Sequence, residues 1–95
     1  MTYSVLTGEQ IRAARALARL EQSELARVSG LSLQTIKRLE RFRGPIETTT
    51  RTVNALMTAF HQSGVVFDLE GGAGPGLRLR DPIVAYGAAG TTQGN

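Results

Sequence analysis

Residues 22 to 40 read Q-S-E-L-A-R-V-S-G-L-S-L-Q-T-I-K-R-L-E, two short helix patterns separated by three residues, G-L-S. Helix 2 is expected over about Gln22 to Ser29, with Leu25, Ala26 and Val28 as its apolar candidates. Gly30 follows it and tolerates the positive φ that closes a helix. After Leu31, Ser32 is expected to cap helix 3, which runs to about Arg41 or Phe42. Gly44-Pro45 then breaks the chain, and 44 to 48 is expected to be a loop.

Helix 3 sorts its residues by face. At about 100° per residue, Ile36 and Leu39 fall on one side and Gln34, Arg38 and Arg41 on the other. Leu33 and Lys37 lie at the flank of the polar side. One face is thus built to pack. The other offers a flat amide, two guanidiniums and an ammonium. Gln pairs bidentately with adenine, and Arg with guanine, in an open major groove. Leu33 sits in the first turn, where base-contacting residues of a recognition helix usually stand. It has two readings, contact with a thymine methyl or packing against the loop.

Charge is placed to match. The net charge is +3. Lys37, Arg38, Arg41, Arg43 and Arg51 face only Glu40 and Glu47 within residues 37 to 51. The six other Arg are balanced by the remaining acids, so the whole excess lies in one segment. Such a footprint suits a polyanion, or is simply a solvated basic face.

The 95 residues are enough for one small domain but not two. Thr7-Gly8-Glu9-Gln10 has the form of a capping box. Helix 1 then runs to about Leu20, burying Ile11, Ala14, Leu17 and Ala18. Helix 4 spans about Thr49 to Ser63, with Val53, Leu56, Met57 and Phe60 on one face and Gly64 closing it. Beyond it the period changes to two. Val65, Phe67 and Leu69 alternate with Val66, Asp68 and Glu70, and Leu77 and Leu79 alternate with Arg78 and Arg80. The turn Gly71 to Gly76 joins them into a hairpin, across which Asp68 and Glu70 could meet Arg78 and Arg80. The tail 82 to 95 is rich in Gly, Ala and Thr, with a short extra strand at 83 to 86 as an option. No Cys occurs, and no apolar run approaches a membrane span. The expected location is the cytoplasm, with no membrane partner.

Residues 22 to 40 resemble the helix-turn-helix of the XRE (lambda-repressor/Cro-like) family of transcriptional regulators. The matched features are Gln22, Leu25-Ala26, Gly30-Leu31-Ser32 and Thr35-Ile36-x-Arg38-x-Glu40. Ala26 is small where helix 3 crosses close by, Gly30 allows the sharp turn, and Leu25, Leu31, Ile36 and Leu39 form a shared core. The resemblance covers helices 1 to 4. It extends to S-G-V-V-F-D-L-E-G-G-A-G-P-G-L-R-L-R, residues 63 to 80, a pattern similar to the ends of short bacterial regulators of this kind. It implies a mainly α fold with a four-helix lambda-repressor-like helix-turn-helix domain at 1–64, to which the residue pattern adds a β-hairpin at 65–81 and a weakly structured tail at 82–95. It also implies a homodimer on a two-fold-related operator in double-stranded DNA, located at the bacterial nucleoid. By analogy Leu33, Gln34, Lys37 and Arg38 face bases, while Gln22, Thr35, Arg41 and Arg43 touch or approach phosphates. Glu40 is expected to be structural, with Arg12 or Arg43 as candidate partners. Two departures stand out. Glu21 occupies the position where the family prefers a Ser or Thr cap, so helix 2 is expected to begin more loosely. Helix 4 leads to a hairpin rather than to the fifth helix of phage repressors.

An isolated two-stranded ribbon is marginal in water. The hairpin residues Val65, Val66, Phe67, Leu69, Leu77 and Leu79 are therefore expected at a dimer interface; the alternative is an intramolecular flap over helices 1 and 4. Catalysis is not expected. His61 is the only His, and no acid or Cys clusters with it. G-G-A-G-P-G lacks the Lys-Ser/Thr and the helix of a phosphate loop. Neither a metal nor a cofactor is expected. Two functions remain. One is a sequence-specific repressor. The other is an antitoxin or antiactivator that binds a protein such as a toxin and uses DNA for autoregulation.

Overall fold

The computed structural model describes the backbone of residues 2–68 and 76–79, and side chains for 6–67 and 76–79. The order is β1 (Thr2–Thr7), α1 (Gly8–Ala18), α2 (Gln22–Ser29), α3 (Leu33–Glu40), β2 (Pro45–Thr48), α4 (Thr50–Gln62), β3 (Val65–Asp68) and β4 (Gly76–Leu79). The fold is mainly helical, with two antiparallel strand pairs, β1–β2 and β3–β4. No helix among the described residues is long and apolar enough to cross a membrane.

Local chemistry explains the helix ends. Thr7 Oγ1 accepts the Gln10 N–H at 3.0 Å, and Gln10 Oε1 accepts the Thr7 N–H at 2.9 Å, completing the capping box. Thr49 Oγ1 accepts the Thr52 N–H at 3.2 Å to open α4. Glu21 has no Ser or Thr hydroxyl to offer α2, yet the helix does not begin loosely as expected: Glu21 and Glu24 form a capping box, in which the Glu24 carboxylate accepts the Glu21 N–H at 2.9 Å.

The core joins all four helices to both sheets. Leu6, Ile11, Ala14, Leu25, Ile36, Leu39, Ile46, Leu56, Ala59, Phe60 and Val65 are buried together. Leu17, Ala18, Ala26, Leu31, Val53 and Met57 pack half-buried around them. Val28, an apolar candidate of helix 2, is instead exposed at 38%. Full burial of one Leu or Phe side chain contributes about 1.5–3 kcal/mol, so this cluster is what holds the short helices in place.

The segment 44 to 48 is not a loop. Pro45–Thr48 is strand β2, paired with the N-terminal strand in the register Thr2↔Thr48, Tyr3↔Glu47 and Thr7↔Pro45, with an irregularity between Tyr3 and Thr7. Pro45 occupies the first strand position, where a missing N–H is tolerated. Ile46 and Thr48 point inward and are buried, while Pro45 is exposed.

The C-terminal hairpin pairs Val65↔Leu79, Val66↔Arg78, Phe67↔Leu77 and Asp68↔Gly76. Gly76 thus belongs to β4 rather than to the turn. Arg78 stands opposite Val66 rather than opposite an acid; Leu69, Glu70, Arg80 and the tail lie outside the described residues. β3 packs on α4, and β4 packs on α1. The Phe60 and Phe67 rings meet at 5.9 Å between centroids, tilted by 51°.

Gly8 sets how closely α1 approaches the end of α3. It is buried, and a Cβ there would collide with the backbone oxygen of Phe42 and lie 2.9 Å from that of Leu39. Neither oxygen is the end of a flexible side chain. Gly8→Ala is therefore expected to cost about 2 kcal/mol by overpacking. The measurement is a urea titration, whose midpoint should fall with the slope unchanged.

Candidate nucleic-acid interface

The turn between α2 and α3 is fixed by small polar groups. Gly30 adopts φ +76°, and its N–H donates to Ala26 O at 3.0 Å. Ser29 Oγ accepts the Leu31 N–H at 3.3 Å. Ser32 Oγ accepts the Thr35 N–H at 3.0 Å and donates its own proton to Thr35 Oγ1 at 2.9 Å. These bonds occupy donors that a helix start otherwise leaves unmet.

On α3, Ile36 and Leu39 are fully buried and Glu40 is 5% exposed. Leu33, Gln34, Lys37 and Arg38 are all exposed. Arg41 caps the helix and is exposed, as is Arg43 in the following loop. Gln34, Thr35, Lys37, Arg38 and Arg41 line one shallow depression. A second, on the other side of Lys37, is lined by Arg15, Glu21, Gln22, Ser23 and Leu33. The four expected base readers thus share one continuous face that also reaches Gln22. Thr35 is half-buried, its hydroxyl oxygen already engaged by Ser32.

The buried side of α3 carries an ion pair. Arg15 Nε donates to Glu40 Oε2 at 2.8 Å, and Arg15 Nη2 donates to Glu40 Oε1 at 3.2 Å. Gln22 Nε2 adds a donor to Glu40 Oε1 at 3.1 Å. Arg15 Nη1 also donates to Leu20 O at 3.0 Å, and Arg12 Nη1 donates to Glu40 O. Glu40 is therefore held by Arg15, a residue not among its expected partners; of those, Arg12 reaches only its backbone oxygen. One carboxylate ties α1, the start of α2 and the end of α3 together, and Gln22 has an orienting partner on its inner side.

The Arg43 loop is fixed by α1. Gly44, at φ +88°, donates its N–H to Glu9 Oε1 at 3.0 Å, and its oxygen accepts the Gly8 N–H at 3.2 Å. The Gly44 N–H, followed by the Glu9 backbone N–H and the charges of Arg12 and Arg43, holds the Glu9 carboxyl below its ordinary range. Glu9 thus stays ionised beside Arg43 and clamps the loop that carries it.

The hairpin residues expected at a dimer interface are differently placed. Val65 is 1% exposed within its own chain, and Phe67, Leu77 and Leu79 pack half-buried on the core. Val66 lies on the opposite face from Val65, half-buried, and Leu69 lies outside the described residues. Met57, Thr58, His61, Gln62, Val66 and Phe67 line a groove between α4 and β3. Among the described residues, no group of three or more His, Asp or Glu is placed to hold a metal.

No protein-family model matches the chain, and no curated protein matches it in sequence.

Proposed function

We propose that this chain is a sequence-specific DNA-binding transcriptional regulator, a homodimeric repressor that inserts α3 into the major groove of a two-fold-related operator. The observation that carries the reading is the division of α3. Ile36, Leu39 and Glu40 are buried, while Leu33, Gln34, Lys37 and Arg38 stand exposed together. Gln34 and Arg38 supply bidentate base contacts. Gln22, Thr35, Arg41 and Arg43 flank that face as phosphate contacts. The local excess of basic residues in 37 to 51 supplies the sequence-independent attraction. A dimer presents two such faces, which a palindrome requires. Because Val65 is covered within the chain, a dimer contact through this element uses its edge and the half-buried Val66, Phe67, Leu77 and Leu79.

Fluorescence titration of the full chain on its own upstream region tests the proposal. Four Arg–phosphate contacts per dimer predict a log–log salt slope of about −4. Arg38→Ala is expected to relax sequence preference, whereas Arg43→Ala weakens all sequences alike and flattens the slope by about 2. Equal affinity for the upstream region and for random duplex at every salt concentration would count against it.

The groove between α4 and β3 favours a second reading. Among the described residues it is lined without Asp, Glu, Lys or Arg, and a groove of that kind suits a protein partner. In that case the chain is an antitoxin or antiactivator that autoregulates through α3. Pull-downs that retain no protein with a DNA-binding homodimer would set this reading aside.

A further inference from the structure

Leu33 is the one side chain of the proposed reading face that can neither donate nor accept a hydrogen bond. It is 37% exposed, and Val28 is the only other large hydrophobic of comparable exposure among the described residues. The other apolar side chains of α3, Ile36 and Leu39, are fully buried. Leu33 lines a depression with Arg15, Glu21, Gln22, Ser23 and Lys37, between α3 and the start of α2. The backbone of that first turn is fixed, because Ser32 caps it through both the Thr35 amide and the Thr35 hydroxyl.

The edges of base pairs in the major groove are hydrogen-bonding groups with one apolar exception, the pyrimidine 5-methyl. Gln34, Lys37 and Arg38 match the hydrogen-bonding groups. Leu33 matches only the exception. Resting on the reading of α3 as the DNA-contacting helix, we infer that Leu33 is a specificity-determining contact for a pyrimidine 5-methyl group, carried by thymine or by 5-methylcytosine. Removing one methyl from such a contact forfeits the burial of about one carbon, a loss of about fourfold in affinity.

The test uses the full chain and a duplex site enriched from a random pool. Each thymine of that site is replaced in turn by uracil, which removes the methyl and nothing else. Each cytosine is likewise compared with 5-methylcytosine. The expected result is one position per half-site at which the methylated base binds about fourfold more tightly than its unmethylated counterpart. Sensitivity to uracil identifies thymine as the source, and a gain with 5-methylcytosine identifies the other. In Leu33→Ala that difference disappears while the protein still melts cooperatively as a folded domain, the side chain being 37% exposed and outside the buried core. An enriched site at which no methyl matters, or at which the methyl matters equally to Leu33→Ala, would overturn the assignment and leave the DNA-binding reading standing. A pool that yields no enriched sequence would overturn both.

Discussion

Replacing Arg15 with Met is expected to cost the fold about 3 kcal/mol, because it strands a buried carboxylate. Glu40 is 5% exposed and takes two of its three side-chain hydrogen bonds from Arg15. Without the guanidinium, Gln22 remains as its only side-chain donor among the described residues, and the carboxylate stays out of water. The aliphatic stem survives in Met, so packing changes little. The loss isolates the unpaired charge. A double variant, Arg15→Met with Glu40→Met, removes both charges at similar volume and is expected to recover most of the deficit. Urea titrations of the single and double variants measure both terms. A single-variant loss below about 1 kcal/mol, the range of solvent-screened pairs, would show that water reaches the pair.

The same pair matters to the proposed interface. Glu40 sits at the end of α3, and its partners come from α1 and from the first residue of α2. Losing it frees the orientation of α3 relative to Gln22. DNA affinity is therefore expected to fall in Arg15→Met even below the temperature at which the fold melts.

The helices were largely legible in the sequence because their signals are local. Gly30 and Ser32 mark the turn, Thr7 and Gln10 the start of α1, and Thr49 the start of α4; each acts through bonds within three or four residues. The inward positions of α3 followed from period alone, Ile36 and Leu39 being buried as spaced. The β1–β2 sheet was not legible. Its strands are some forty residues apart, and strand formation depends on the partner more than on the residues themselves. Gly44-Pro45 also reads as an interruption, although Pro is acceptable at the first position of a strand. Glu40 illustrates a signal present but incomplete. Lying four residues after Ile36, it shares the buried face of α3, and Arg15 lies four after Ile11 on α1. Spacing places each charge beside the core, but which cation meets the carboxylate depends on how the helices cross. Gly8 is similar: its need for hydrogen in place of a side chain arises from the backbone of Leu39 and Phe42, more than thirty residues away.

The central claim is that the exposed face of α3 reads DNA. Its most direct test is operator affinity after Gln34, Lys37 and Arg38 are all replaced by Ala. All three side chains are exposed, so the melt should move by no more than the equivalent of about 0.5 kcal/mol. Two lost bidentate contacts per subunit, at about 1–3 kcal/mol each, predict an affinity at least about thirtyfold lower, with no preference over random duplex beyond the roughly fourfold that Leu33 carries. Retained operator affinity in a folded triple variant would contradict the account.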